Sequence, residues 1–181
     1  MSPRFRLPYA LFSVLIVLTG CASTPSVAPP EVPANLRPPA DQVVFLETLA
    51  TGAQLYECTR SAGPPSTFDW VFRSPEATLV DRSGITRGRH FAGPTWESLD
   101  GSSVVGDVKA RDPGPNPSSI PWLMLTAKST SGTGVFSATR TIQRVNTLGG
   151  LAPTGPCAAA NVGEIARVPY TATYYFYRTK S

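Results

Sequence analysis

His90 is the only histidine in the 181-residue chain, so any proton transfer through an imidazole must use it. Imidazole is the side chain whose ordinary pKa lies nearest neutrality, and as a general base it needs a carboxylate to orient the ring. Glu97 and Asp100 follow within ten residues, which nominates His90, Glu97 and Asp100 as the acid–base set if the chain is an enzyme. No Gly-x-Ser-x-Gly is present to nominate a nucleophile. Glu97, Asp100 and Asp107 could supply a carboxylate pair for sugar chemistry, but a turn at Asp100-Gly101 leaves their separation open, and that separation decides the mechanism. One histidine among scattered acids lacks the ligand spacing of zinc, and Asp100-Gly101-Ser102-Ser103 with Asp107 offers too few oxygens for calcium. With no Gly-x-G-x-x-Gly and no strand–helix alternation to hold a dinucleotide, neither metal nor cofactor is expected.

The same residues also read as a binding site. His90, Trp96 and Glu97, with Tyr56 and Trp122 as walls, would take an apolar or sugar-like molecule, because aromatic walls stack on both. A plainer account makes Gly93-Pro94 a bend and Trp96 a core anchor with its N–H satisfied.

These residues sit on short apolar runs of period two, broken by Gly, Pro and Ser every eight to twelve residues. That pattern predicts an all-β, mainly antiparallel single domain, a β-barrel or β-sandwich with long loops and little helix. Strands are expected at 54–59, 68–73, 78–81, 103–109, 120–128, 135–145 and 168–178, while 42–50 is open to strand or helix. In the last, Val168, Tyr170, Ala172, Tyr174 and Phe176 share one face, and Thr171, Thr173, Tyr175 and Tyr177 the other. Residues 120–125 are so continuously apolar that both faces must be covered, with Pro121 at the strand's first positions.

The N-terminus concerns address. Arg4 and Arg6 precede an apolar run over 7–18, too short for a comfortable span, and Leu18-Thr19-Gly20-Cys21 resembles the lipobox of a bacterial lipoprotein signal peptide. The implied organisation is a signal peptide over 1–20, a lipidated Cys21 with a Pro-rich, polyproline-like tether over 21–41, and a globular β domain over 42–181. Cys21 would anchor the chain in a membrane. Ala22 and Ser23 are not an acidic retention signal, which favours the outer membrane of a Gram-negative envelope, facing the periplasm or the surface. The formal charge is +4, half of it from the two leader arginines, and the other basic residues are dispersed, so no nucleic-acid footprint is present. With Cys21 assigned to lipid, Cys58 and Cys157 remain; an oxidising compartment favours a disulfide between them, and two buried thiols are the alternative.

The run His90-Phe91-Ala92-Gly93-Pro94-Thr95-Trp96-Glu97, followed by Asp100-Gly101-Ser102, resembles the central signature of the family called domain of unknown function 3455. Tyr56-Glu57-Cys58, Phe68 with Trp70, Ser74-Pro75-Glu76-Ala77, Ile120-Pro121-Trp122-Leu123, Thr147-Leu148-Gly149-Gly150 and the segment 170–177 fall in that family's order. The resemblance covers roughly 42–178 and implies secreted or envelope-attached proteins without an established activity. A weaker similarity, through Gly88-Arg89-His90-Phe91 and Trp96, is to small β-barrel lysozyme-inhibitor lipoproteins. Together these features lead us to expect a lipid-anchored envelope protein acting as a non-catalytic binding or structural module. Its partner would be a small molecule, a glycan or an envelope protein. The alternatives are an envelope hydrolase or isomerase using His90 as general acid or base, and a lysozyme-inhibitor-like protein.

Overall fold

The computed structural model describes residues 27–63, 65 and 67–181. The signal peptide, Cys21 and the first part of the tether therefore lie outside the described residues. Eight antiparallel strands follow one another around a closed barrel: β1 (Gln42–Arg60), β2 (Phe68–Val80), β3 (Thr86–Phe91), β4 (Thr95–Ser98), β5 (Ser103–Asp112), β6 (Trp122–Ser131), β7 (Thr141–Gly149) and β8 (Ile165–Thr179). Closure decides for barrel over sandwich. β8 returns to β1 over a register running from Gln42↔Thr179 to Glu57↔Ile165, and this ladder removes the sheet edges that an open arrangement would leave.

Several elements differ from the sequence expectation for identifiable reasons. Residues 42–50 are the first half of β1, because they pair with β8 from Gln42↔Thr179 to Ala50↔Ala172, with a bulge between Val44 and Leu46. The runs 68–73 and 78–81 are one strand despite Pro75, which pairs with Gln54 of β1 on one side while pairing with β3 begins only at Ala77↔His90. The proline's missing N–H thus falls on an unpaired stretch of edge. The bend expected around Gly93 is the three-residue turn of a hairpin, β3 with β4, in which His90 pairs with Trp96 and Phe91 with Thr95. Of the run 135–145 only Thr141 onward is strand. Residues before it form a loop that plugs one end of the barrel, where Phe136 packs on Phe176 at 4.8 Å between centroids.

Inside the barrel, Leu79, Trp96, Val104, Leu125, Ile142, Tyr174 and Phe176 form the core, each no more than 1% exposed. Gly106 makes room for Trp96, since a Cβ there would come within 2.9 Å of the indole and 3.0 Å of Leu125. The outer face carries ion pairs such as Arg87–Asp81, Arg89–Glu97 and Arg167–Glu76, so it is a water-facing surface rather than a lipid-facing band.

Residues 27–41 are not a free spacer. Tyr175, Tyr177, Val44 and Val145 make a second apolar cluster on the outside of the barrel, with Trp122 beside it, and Val27 and Val32 pack against it. Leu36, in a single 3-10 turn over Ala34–Leu36, is fully buried. Its carbonyl accepts a hydrogen bond from Gln143 Nε2 at 2.6 Å, and Asn35 donates to the Arg111 carbonyl at 3.1 Å. The physical reason is the aromatic outer face of β8, which would otherwise leave two large rings in water. We expect Leu36→Ala to cost about 2 to 3 kcal/mol in urea unfolding; a loss too small to measure would mean that the strap is not part of the cooperative unit.

Candidate functional site

The inward residues of the strands do not fill the end of the barrel opposite Phe136. A cavity of about 570 Å³ opens there, within the range of roughly 300 to 1,000 Å³ typical of small-molecule sites. Its mouth lies where β1 ends, β2 begins, the β3–β4 turn projects and β6 begins. Val108, Ile120, Leu123 and Leu125 make the apolar walls, Tyr56 and Phe72 the rim, and His90, Trp96 and Tyr174 the inner wall. Tyr56 is fixed by its hydroxyl, which donates to the Gly150 carbonyl at 2.7 Å, and by an edge-on contact with Phe72.

His90 is held on three sides. Its Nδ1–H donates to the Thr95 carbonyl at 2.8 Å, which leaves Nε2 as an acceptor in the neutral ring. The imidazole stacks on Trp96 at 4.3 Å and 13°, and Tyr174 meets it edge-on at 5.1 Å. Burial pushes its pKa down from 6.5 to about 3, and the nearby Arg144 guanidinium works in the same direction against the Thr95 hydrogen bond. The ring is therefore neutral at neutral pH.

The acids nominated as its partners are elsewhere. Glu97 neighbours Trp96 on β4 and so points to the opposite face of the sheet, where it pairs with Arg89 at 2.8 Å. Asp100 lies at the plugged end of the barrel, in the β4–β5 turn. It accepts from the Ser102 hydroxyl, the Val135 N–H and the Ser102 N–H, and these hydrogen bonds hold its carboxyl at about 2. Its work is to tie the plugging loop to that turn. Asp107 pairs with Lys109 on the outside. Trp122 also leaves the site: it lies on the outer face beside the strap, and Gly114 packs close against its indole. Of the nominated residues the cavity gathers His90, Trp96 and Tyr56. Among the described residues no cluster of three potential metal ligands forms.

Residues not nominated complete the site. Arg144, on β7, lines the cavity and donates through Nε and Nη2 to the Pro121 carbonyl at 3.2 and 2.8 Å. Gln54, Arg73 and Arg111 line it as well. Arg144 was hidden in the sequence because Gln143 and Val145 on either side are also buried, so β7 lacks the polar–apolar alternation that would have marked an inward arginine as unusual.

Three lining residues carry buried polar atoms without a hydrogen-bond partner: Trp96 Nε1, the Tyr174 hydroxyl and Gln54 Nε2; the Tyr170 hydroxyl, just behind, is a fourth. Tyr170 lies near Tyr174 and Gln54, and Tyr174 near Arg144, close enough for these contacts to shift the ionisation of both tyrosines, yet neither tyrosine hydroxyl nor Gln54 Nε2 has a partner at hydrogen-bond geometry. Unsatisfied buried polar groups are uncommon and each costs about 1 to 3 kcal/mol.

The family model described as a protein of unknown function (DUF3455) matches residues 39–178, the barrel apart from the last residue of β8, together with the last residues before β1. The chain belongs to the DUF3455 family. No curated protein sequence and no solved structure matches it. The DUF3455 match begins after Leu36, so the part of the strap that covers the outer cluster lies outside the family region, whereas every residue of the cavity lies within it.

Proposed function

We propose that this DUF3455 domain is a non-catalytic binding module that takes a small, largely apolar molecule into the mouth of its barrel. The observation that carries this reading is a 570 Å³ cavity with apolar and aromatic walls, on which buried donors stand without partners. A cavity lined by Leu, Ile and Val favours an apolar guest, and unpaired polar groups within it reward a ligand that reaches them. The hydrolase or isomerase alternative draws less support, because His90 has a backbone carbonyl where a carboxylate would be needed and is depressed far below the range useful for proton transfer near neutrality.

The test is titration of the domain with the neutral fluorophore N-phenyl-1-naphthylamine. Saturable one-to-one binding is expected, weakened at least tenfold, about 1.4 kcal/mol, by Val108→Trp, which fills the cavity. Binding that does not saturate, or that Val108→Trp leaves unchanged, would overturn the proposal.

The address belongs to the same proposal. Lipid on Cys21 would hold the domain at the envelope's outer membrane, and with residues 27–41 laid along the barrel only 22–26 remain between lipid and strap. At roughly 3.3 to 3.6 Å per residue, the strap would then begin within about 20 Å of the membrane surface. Cys21→Ser is expected to move the protein from the membrane to the soluble fraction; unchanged fractionation would count against the anchor.

A further inference from the structure

We infer that the ligand is an amphipathic anion, an apolar body with one acidic head, and that Arg144 holds the head; the inference rests on the binding reading above and names its chemistry. The cavity lining contains three arginines and no aspartate or glutamate. Arg73 is answered at the rim by Glu57 at 2.7 Å. Arg111 and Arg144 form no ion pair among the described residues. Arg144 is the deeper of the unanswered pair. Arg144 pairs with Tyr174 across β7 and β8, and both line the cavity with His90, which places Arg144 among the residues at the inner wall.

A guanidinium has five N–H donors in a planar fork, and Arg144 uses two nitrogens on one neutral carbonyl. A half-buried cation without a counter-ion gains most from an anion that brings its own oxygens, since the pairing is charge-assisted and formed away from bulk water. The orphaned groups nearby agree in sign. Trp96 Nε1 and Gln54 Nε2 can only donate, and the Tyr174 hydroxyl is free to donate. A donor-rich end facing apolar walls is complementary to a carboxylate, sulfate or phosphate on a hydrophobic body.

The experiment compares two probes with one skeleton, N-phenyl-1-naphthylamine and its sulfonated form, 8-anilinonaphthalene-1-sulfonate. The wild-type domain should bind the sulfonate at least tenfold more tightly at low salt, and added NaCl should erode that margin while leaving the neutral probe's affinity unchanged. Arg144→Gln should remove the preference, and a cooperative urea transition shows that the variant is folded. Arg111→Gln, at the mouth, should reduce it only in part. Equal affinity of the wild type for the two probes, or a preference that survives Arg144→Gln, would overturn the inference and leave the binding reading standing. Failure of both probes to bind saturably would overturn both.

Discussion

Between pH 6.5 and pH 5 the domain should lose about 2 kcal/mol of stability through one side chain, His90. At pH 7 the imidazole is neutral in the folded chain and only about a quarter protonated in the unfolded one, so the slope there is small. From 6.5 downward the unfolded ring takes a proton that the buried ring refuses until about pH 3. Stability must therefore fall across that window, by on the order of 4 to 5 kcal/mol in full. The refusal has a structural cause: Trp96 covers one face, Tyr174 meets the ring edge-on, and Arg144 is the nearby charge, with no acid to offset it. Urea midpoints at pH 7, 6 and 5 should fall progressively for the wild type, and His90→Gln should flatten that decline. A wild-type midpoint constant from pH 7 to 5 would mean that the ring can charge in place and that the cavity is wetter than its walls suggest. An anionic ligand held at Arg144 would lessen the loss by neutralising the charge nearest the ring.

Removing the bridge between Cys58 and Cys157 is expected to cost about 2 to 5 kcal/mol, the largest effect of any covalent change available to the domain. The two half-cystines are 99 residues apart in sequence, with Cα atoms 5.5 Å apart, and a loop of that length has an upper limit near 4.7 kcal/mol in the chain-entropy account. The bridge fastens the β7–β8 connection to the end of β1, where Cys58 also donates its N–H to the Glu164 carbonyl and accepts from Gly163. That connection begins at Gly150, whose carbonyl holds the Tyr56 hydroxyl at the cavity rim. The double Cys→Ala variant should thus lose both stability and affinity for the naphthyl probes. Equal denaturant midpoints for the variant and the oxidised wild type would show that the backbone ladder alone closes the loop.

Much of the fold was legible in the residues. Alternation in 168–178 sorted the side chains of β8 onto two faces, and one of those sets supplies Tyr170, Ala172, Tyr174 and Phe176 to the core. The continuous apolar run 120–125 called for cover on both faces; Ile120, Leu123 and Leu125 face the core, while Trp122 lies beside the outer cluster under the strap. The strap is not legible from composition, because its prolines resemble a spacer, while Val27, Val32 and Leu36 together with two hydrogen bonds dock it. Within the site, His90 and Trp96 could be found because a lone histidine and a Gly-Pro-x-Trp run stand out. Glu97 was nominated by nearness in sequence, which in a strand puts an adjacent residue on the opposite face.

The sequence by itself determined what depends on composition and local period: an all-β chain, a disulfide-compatible cysteine pair, the membership in DUF3455, and the identity of the one imidazole any chemistry could use. The tertiary structure alone decided closure of the sheet into a barrel, the separation of His90 from both acids, and the arrival of Arg144 and Gln54 in one cavity with Trp96. These are properties of register. The pairs His90↔Trp96 and Arg144↔Tyr174 join positions whose meeting depends on how each strand slides against the next, and a slip of one residue would turn every one of those side chains to the other face. Period two in the sequence marks the two faces of a strand. Only the closed ladder of eight strands determines which face becomes the inside.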